Sequence, residues 1–418
     1  GYHPVSYRGR GIQYYLGDDR GLVHTYVDSN EVINGQTYYY AVVAYDHGDS
    51  VGVPPTETTK KITLDAITSK YEFDVNTVAV VPGPRAGGYL FPDESALALT
   101  QKAGIGNGKI TMKIVNDLLV QDNVEYDIIF SDTLRDGNTV TAAKNFSVLK
   151  LADITDMVSF TDTNFYKLNH ANLNKSFIPV VTDESGKAYT ENSDYIIDYE
   201  RGLIRRTGST TMALSKPYKV VYRHFPISQS TLLKYEDGNS VFDGLQIKVQ
   251  DYEQLIIDTI ATKWSTGSTN FDFTIDLTKL AFPRKKRYPA NYEVKFSAAN
   301  IDSAKIGTQL GVYPVPFQVV DVTTGVPVRV WTYVIENAAT KNFKYDFGEE
   351  IIFFNSGSNG VISDTLTWSL LVKAPTDSGV TPVAPTDGDV LYIRTERPFN
   401  KYDRFSFTSK SGQFSNSE

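Results

Sequence analysis

The 418 residues carry 41 lysines and arginines against 49 aspartates and glutamates, a mild acidity of −8 that offers no broad field for phosphate backbones and argues against a nucleic-acid partner. There is no cysteine, so disulfides, thiolate metal sites and a cysteine nucleophile are excluded, and no apolar run approaches the roughly 20 residues of a spanning helix. The length allows roughly two to four domains, and 27 Tyr and 22 Phe against 3 Met, amid much Val, Ile and Thr, favour pleated sheets.

The opening "GYHPVSYRGR" lacks a signal peptide's charged start and apolar middle, so a mature chain or a fragment of one is expected. In "INGQTYYYAVVAYDHGD" Tyr38, Tyr40, Val42 and Ala44 share one face of a strand, and Tyr39, Ala41, Val43 and Tyr45 share the other. Two apolar faces predict a central strand covered on both sides. A polar connector over 62–70 leads to "NTVAVVPGPRAGGYLFP", which opens a second unit. "GNGKITMKIVNDLLV", "VEYDIIFSDTL" and "KNFSVLKLA" follow as strands bounded by Asn, Asp or Gly.

Residues 156–226 form an excursion: "SDYIIDYERGLIRRTG" alternates, turns at "ERG" and resumes, and "PYKVVYRHF" supplies a partner strand. The sandwich continues at "FDGLQIKV", and the final third holds further short strands such as "TLTWSLLVKAP" and "GDVLYIRTERPF". "DESALALTQKAG" is the best helical candidate. The expected fold is all-β, several β-sandwich (fibronectin/immunoglobulin-like) domains in series with a β-hairpin-rich insertion. The units are 1–66, the later part of a fibronectin type III-like domain; 67–155, a sandwich; 156–226, the insertion; 227–280, the sandwich continued; and 281–418, a C-terminal sandwich.

The spacing Gly35, Tyr38, Tyr40, Val42, Ala44, followed by "ETTKKITL", resembles the last two strands of a fibronectin type III domain. The resemblance implies that Tyr38 is the corner tyrosine whose hydroxyl ties back to a nearby loop. Such a domain needs about 90–100 residues, so either processing of a longer precursor or a neighbour's strands is expected to account for the front strands. "VAVVPGPRAGGY", "YPANYEVKF" with "VPFQVVDVTTG", and "GDVLYIRTERPFNKYDRFSFTS" resemble large secreted multi-sandwich surface proteins of the Bacteroidetes and relatives, substrates of type IX secretion. That resemblance implies an extracellular or outer-surface location in a bacterium. In that family a sorting domain follows the phrase matched by Pro398, Phe399, Asp403, Phe405 and Phe407, and removal of such a tail at the cell surface is expected to account for the end at Glu418.

Paired acids are the first candidates for chemistry: Asp18 with Asp19, Asp46 with Asp49, and Asp194 with Asp198. Strand positions four apart lie roughly 13 Å apart, too far for a retaining glycosidase pair at about 5 Å, and turn acids are the plainer account. Calcium at Asp46 and Asp49 is the sharper alternative, since hard oxygen ligands suit it; no other cofactor is implied. His3, His24, His47, His170 and His224 lack zinc-site spacing, and neither a nucleophile elbow nor a phosphate loop occurs.

Tyr14, Tyr15, Tyr89 with Phe91, Trp264 and Trp331 are candidate platforms for a glycan or a partner, against core use. Arg284, Lys285, Lys286 and Arg287 form the one concentrated positive run, either a solvated cluster or an assembly contact with an acidic patch of another copy. The expected function is therefore a non-enzymatic exported structural or adhesive component, a processed segment that assembles with copies of itself or other surface proteins by strand donation. A carbohydrate-binding module is the alternative.

Overall fold

A computed structural model describes residues 2–6, 13–15, 26, 28, 32–44, 46, 56, 58–84, 87–131, 134–136, 139–265, 269–278, 285–307, 311–354, 365–377 and 379–415, with backbone alone at 2–6, 13–15, 96, 134–136 and 139–141. The protein is nearly all β. The helical candidate yields one 3-10 turn, Glu94–Leu97, capped where Asp93 Oδ1 accepts from Ser95 N at 2.8 Å, and then the strand Thr100–Ala103. None of the described helices is long and apolar enough to cross a membrane.

A first sandwich faces a five-stranded antiparallel sheet with a two-stranded one. The larger runs in the order Ile227–Ser230, Asn145–Lys150, Val124–Ser131, Arg404–Ser409, Thr100–Ala103; the smaller pairs Leu245–Gln250 with Lys109–Ile114. Alternation in Val124–Ser131 sends Tyr126, Ile128 and Phe130 into a core that also holds Ile247, Val249, Phe399 and Phe407. Asp127 points to the opposite face, where the Arg404 guanidinium pairs with it and Ser406 Oγ donates at 2.5 Å. The strand Arg404–Ser409, grouped with the C-terminal sandwich when the sequence is cut at 281, lies instead at the centre of this sheet, paired with Val124–Ser131.

The chain leaves the first sandwich twice. After Asn145–Lys150 it builds the hairpin-rich module, a four-stranded sheet (Ile154–Ser159, Pro217–Tyr222, Val180–Thr182, Ala188–Tyr189) against a three-stranded one (Tyr166–Lys167, Leu203–Arg206, Tyr195–Asp198). Phe160, Tyr195, Ile204, Tyr218 and Val220 fill a core of their own. The "ERG" turn places Gly202 at φ +64°, where a Cβ would lie 1.9 Å from the carbonyl oxygen of His170. Only glycine fits that approach.

The second excursion, after Leu245–Gln250, is a larger sandwich of one five-stranded and one six-stranded sheet. Tyr292, Val294, Phe317, Val319, Ile351, Phe353, Trp368 and Leu370 form its core. Strands Lys263–Trp264 and Asp272–Leu277, which precede residue 281, belong to it. One pair, Asp302–Ile306 with Thr332–Ile335, is parallel.

The N-terminal strands depart from expectation. Among the described residues Tyr38–Ala41 pairs with one strand only, Thr77–Val80, which the sequence reading assigns to the next unit. Residues 62–70, expected as a connector, begin a hairpin of Ile62–Leu64 with Tyr71–Phe73. Tyr39 is 46% and Val42 82% exposed, so this is not a strand covered on both sides. Tyr38 Oη accepts from Ile33 N at 2.8 Å.

Candidate functional site

The two crossings between the first sandwich and the hairpin module, at 150–154 and 222–227, run side by side. Lys150 N donates to the His224 carbonyl at 3.2 Å, and Arg223 Nε pairs with Asp153 Oδ1 at 2.7 Å. Phe225 N donates to Asn172 O at 2.8 Å, which carries the module loop along the same crossing. These contacts enclose a cleft of about 330 Å³ lined by Asn169, His170, Asn172, His224, Phe242 and Asp243, among others.

On the sandwich side, Lys150 is a buried cation. Its Nζ lies 2.9 Å from Asp243 Oδ2 and 3.0 Å from Gln121 Oε1. Tyr126 Oη donates to the same carboxylate oxygen at 2.7 Å, and burial followed by that contact pushes its hydroxyl well above the usual tyrosine range. On the module side, Asp156 accepts from Tyr222 Oη at 2.8 Å and from Asn169 N and Nδ2 at 2.7 and 2.6 Å. The Tyr222 proton is thereby committed, so at 3.1 Å His170 Nδ1 is the donor to its hydroxyl oxygen.

Between these networks the rings of His170 and His224 lie 4.1 Å apart, centroid to centroid. His224 is 6% exposed, and its Nδ1 is buried without a hydrogen-bond partner. Burial first, then the neighbouring His170 and Lys150, lowers its pKa to about 4, so the ring is neutral at pH 7. Among the described residues no three His, Asp or Glu side chains are placed to hold a metal ion.

A second polar knot closes the other excursion. Buried Arg397 donates through Nε to Ile105 O at 2.6 Å and through Nη1 to Asn291 Oδ1 at 2.6 Å and Thr395 Oγ1 at 3.2 Å. Asp403 accepts from Gly106 N at 2.7 Å and Asn400 N at 2.8 Å. Asp251 Oδ1 accepts from Phe399 N and Tyr252 N, both at 2.8 Å. Burial outweighs those two donors and raises the Asp251 carboxyl to about 7.

The residues singled out by sequence are scattered. Asp46 accepts from Thr56 N at 3.2 Å and Thr56 Oγ1 at 2.6 Å; its expected calcium partner Asp49 lies outside the described residues, as do Asp18, Asp19, His24 and His47. Asp194 and Asp198 are turn acids, receiving Thr190 N at 2.9 Å and Arg201 N at 3.0 Å. The side chains of His3, Tyr14 and Tyr15 also lie outside the described residues.

Trp264 is half-buried against the second sandwich, its Nε1 donating to Phe271 O at 2.8 Å. Trp331 packs under the Arg329 guanidinium at 3.7 Å. Tyr89 donates to Asp117 Oδ2 at 2.8 Å and meets Phe91 and Phe414 edge-on at 5.6 and 5.3 Å. Arg284 lies outside the described residues; Lys285 bridges to Leu366, Lys286 N donates to Leu366 O at 3.0 Å, and Arg287 Nη1 reaches Gln254 Oε1 at 3.1 Å. The backbone of Lys285 and Lys286 thus sits beside Leu366, the first residue of the strand Leu366–Lys373, and Lys285 is exposed.

Sequence reasoning missed His170 and His224 as a pair because 54 positions separate them and no ligand-type spacing marks them. Their place at the margins of the excursion was the available signal. No family model matches the chain, and neither a curated protein nor a solved structure matches it.

Proposed function

We propose that this chain is a non-enzymatic structural or adhesive component of an exported surface assembly, and that its N-terminal unit joins it to a second copy. The observation that carries this is the apolar surface of that unit. Tyr39, Tyr71 and Phe73 cluster with centroids 6.0 to 6.5 Å apart, yet Tyr71 remains 54% exposed, and on the opposite face of the Tyr38–Ala41 and Thr77–Val80 pair Val42, Val78 and Val80 are exposed as well. None of the buried clusters takes a residue from before Leu97. Exposed apolar side chains on both faces of one strand pair mark an interaction site, and a strand with one partner among the described residues is where a donated strand would add. A location outside the cell goes with this proposal and is supported by the surface-protein phrases of the sequence.

Sedimentation equilibrium, with electron microscopy of the same samples, tests it. The unaltered chain is expected to self-associate, and Tyr39→Asp with Phe73→Asp to weaken association at least tenfold, since each buried aromatic contributes about 1.5–3 kcal/mol. A monomer at every concentration overturns the proposal. A second reading, glycan binding, is favoured by Phe91 and Phe414, both over 60% exposed beside Tyr89; retention of a sugar on a glycan array that Phe91→Ala abolishes supports it.

A further inference from the structure

We propose that the junction between the first sandwich and the hairpin module is a proton-operated joint, in which protonation of His224 loosens the module from the sandwich. His224 occupies one of two covalent crossings, lies against His170 with the ring planes tilted by 37°, and has a buried Nδ1 with no hydrogen-bond partner. Every element packed around it contributes a group that decides the outcome. Lys150, ending Asn145–Lys150, is a fixed cation; Asp243 is the one facing carboxylate on the sandwich side, and Lys150 and Tyr126 already occupy it. On the module side Asp156 is occupied by Tyr222 and Asn169, and Arg223 is paired with Asp153 on the two crossings.

An imidazolium at His224 therefore has two cationic or protonatable neighbours and no uncommitted carboxylate. A buried charge in that position is relieved by opening toward the adjoining cleft, where water solvates it. The sign follows from linkage. The closed joint holds His224 neutral down to about pH 4, whereas in the opened state its pKa returns to about 6.5. Between those values the open form binds more protons, so opening becomes more favourable as pH falls from about 6.5 toward 4. The fully closed joint is present above that window.

Hydrogen exchange of the full chain, corrected for the intrinsic pH dependence of exchange, reads this directly. Between pH 7.5 and pH 4.5 the amides of Ile154–Ser159 and Pro217–Tyr222 are expected to lose protection by roughly one to two orders of magnitude, while Tyr292–Phe296 and Phe317–Asp321 in the second sandwich keep theirs. His224→Gln is expected to abolish the difference. Should that variant already be open at pH 7.5, His170→Gln serves instead: it removes the neighbour that lowers the closed-state His224 pKa, so the gap to the open state narrows and the acid loss of protection is expected to shrink and its midpoint to move to lower pH. Acid-insensitive protection in the unaltered chain, the same acid loss in a folded His224→Gln, or an unmoved midpoint in His170→Gln overturns the joint.

Discussion

The first sandwich parts with the chain twice, and the two closures use opposite chemistry. At the hairpin module the closure is a buried ammonium, Lys150 on Asp243, beside two imidazoles in contact. At the second sandwich it is a guanidinium spread over the Ile105 carbonyl, Asn291 and Thr395, with Asp251 and Asp403 held by backbone amides. The difference shows in proton linkage. Acid weakens the first through His224, whereas the second is most comfortable with its carboxyl protonated.

The largest expected effect falls on the second closure. Arg397→Leu leaves a cluster of buried acceptors without their donor, and a loss of about 3–5 kcal/mol is expected. All three tryptophans, Trp264, Trp331 and Trp368, lie in the second sandwich. Urea unfolding followed by tryptophan fluorescence therefore isolates that unit, and an unchanged midpoint would show that the knot is dispensable. Gly202→Ala acts at the other closure: a Cβ 1.9 Å from the His170 carbonyl at φ +64° is expected to cost about 1–3 kcal/mol, read as lost amide protection within 154–222 and none in the second sandwich.

The pH dependence is the most diagnostic. Asp251 has its carboxyl raised to about 7 against about 3.9 when unfolded. The folded state binds more protons than the unfolded one between those values, so stability falls as pH rises from about 4 to 7. The histidine pulls the other way over much of that window. Measured by urea midpoint in the His224→Gln protein, the decline is expected to stand alone, and Asp251→Asn to flatten it. A flat profile before that substitution would remove the contrast between the closures.

Local pattern made much of the fold legible. Strands such as Val124–Ser131 and the Tyr195–Asp198, Leu203–Arg206 hairpin follow period-two alternation and glycine turn chemistry. Burial was less legible. Trp264, read as a platform, tucks into a core because Phe273 and Phe296 arrive from other strands to meet it. Tyr39, read as one face of a covered strand, stays half-exposed because the described residues supply one paired strand and no facing sheet.

Composition and alternation by themselves determined that this is an all-β chain of short strands, since side-chain period and turn propensity act over a few residues. Only the tertiary structure decided that Arg404–Ser409 returns to lie beside Val124–Ser131, bringing Ser406 to Asp127 across 279 positions. It alone brought His170 against His224 and gathered Arg397, Asp251 and Asp403 at one closure. Such juxtapositions follow from which buried polar groups satisfy one another once the sheets close, and residue spacing along the chain does not encode that choice.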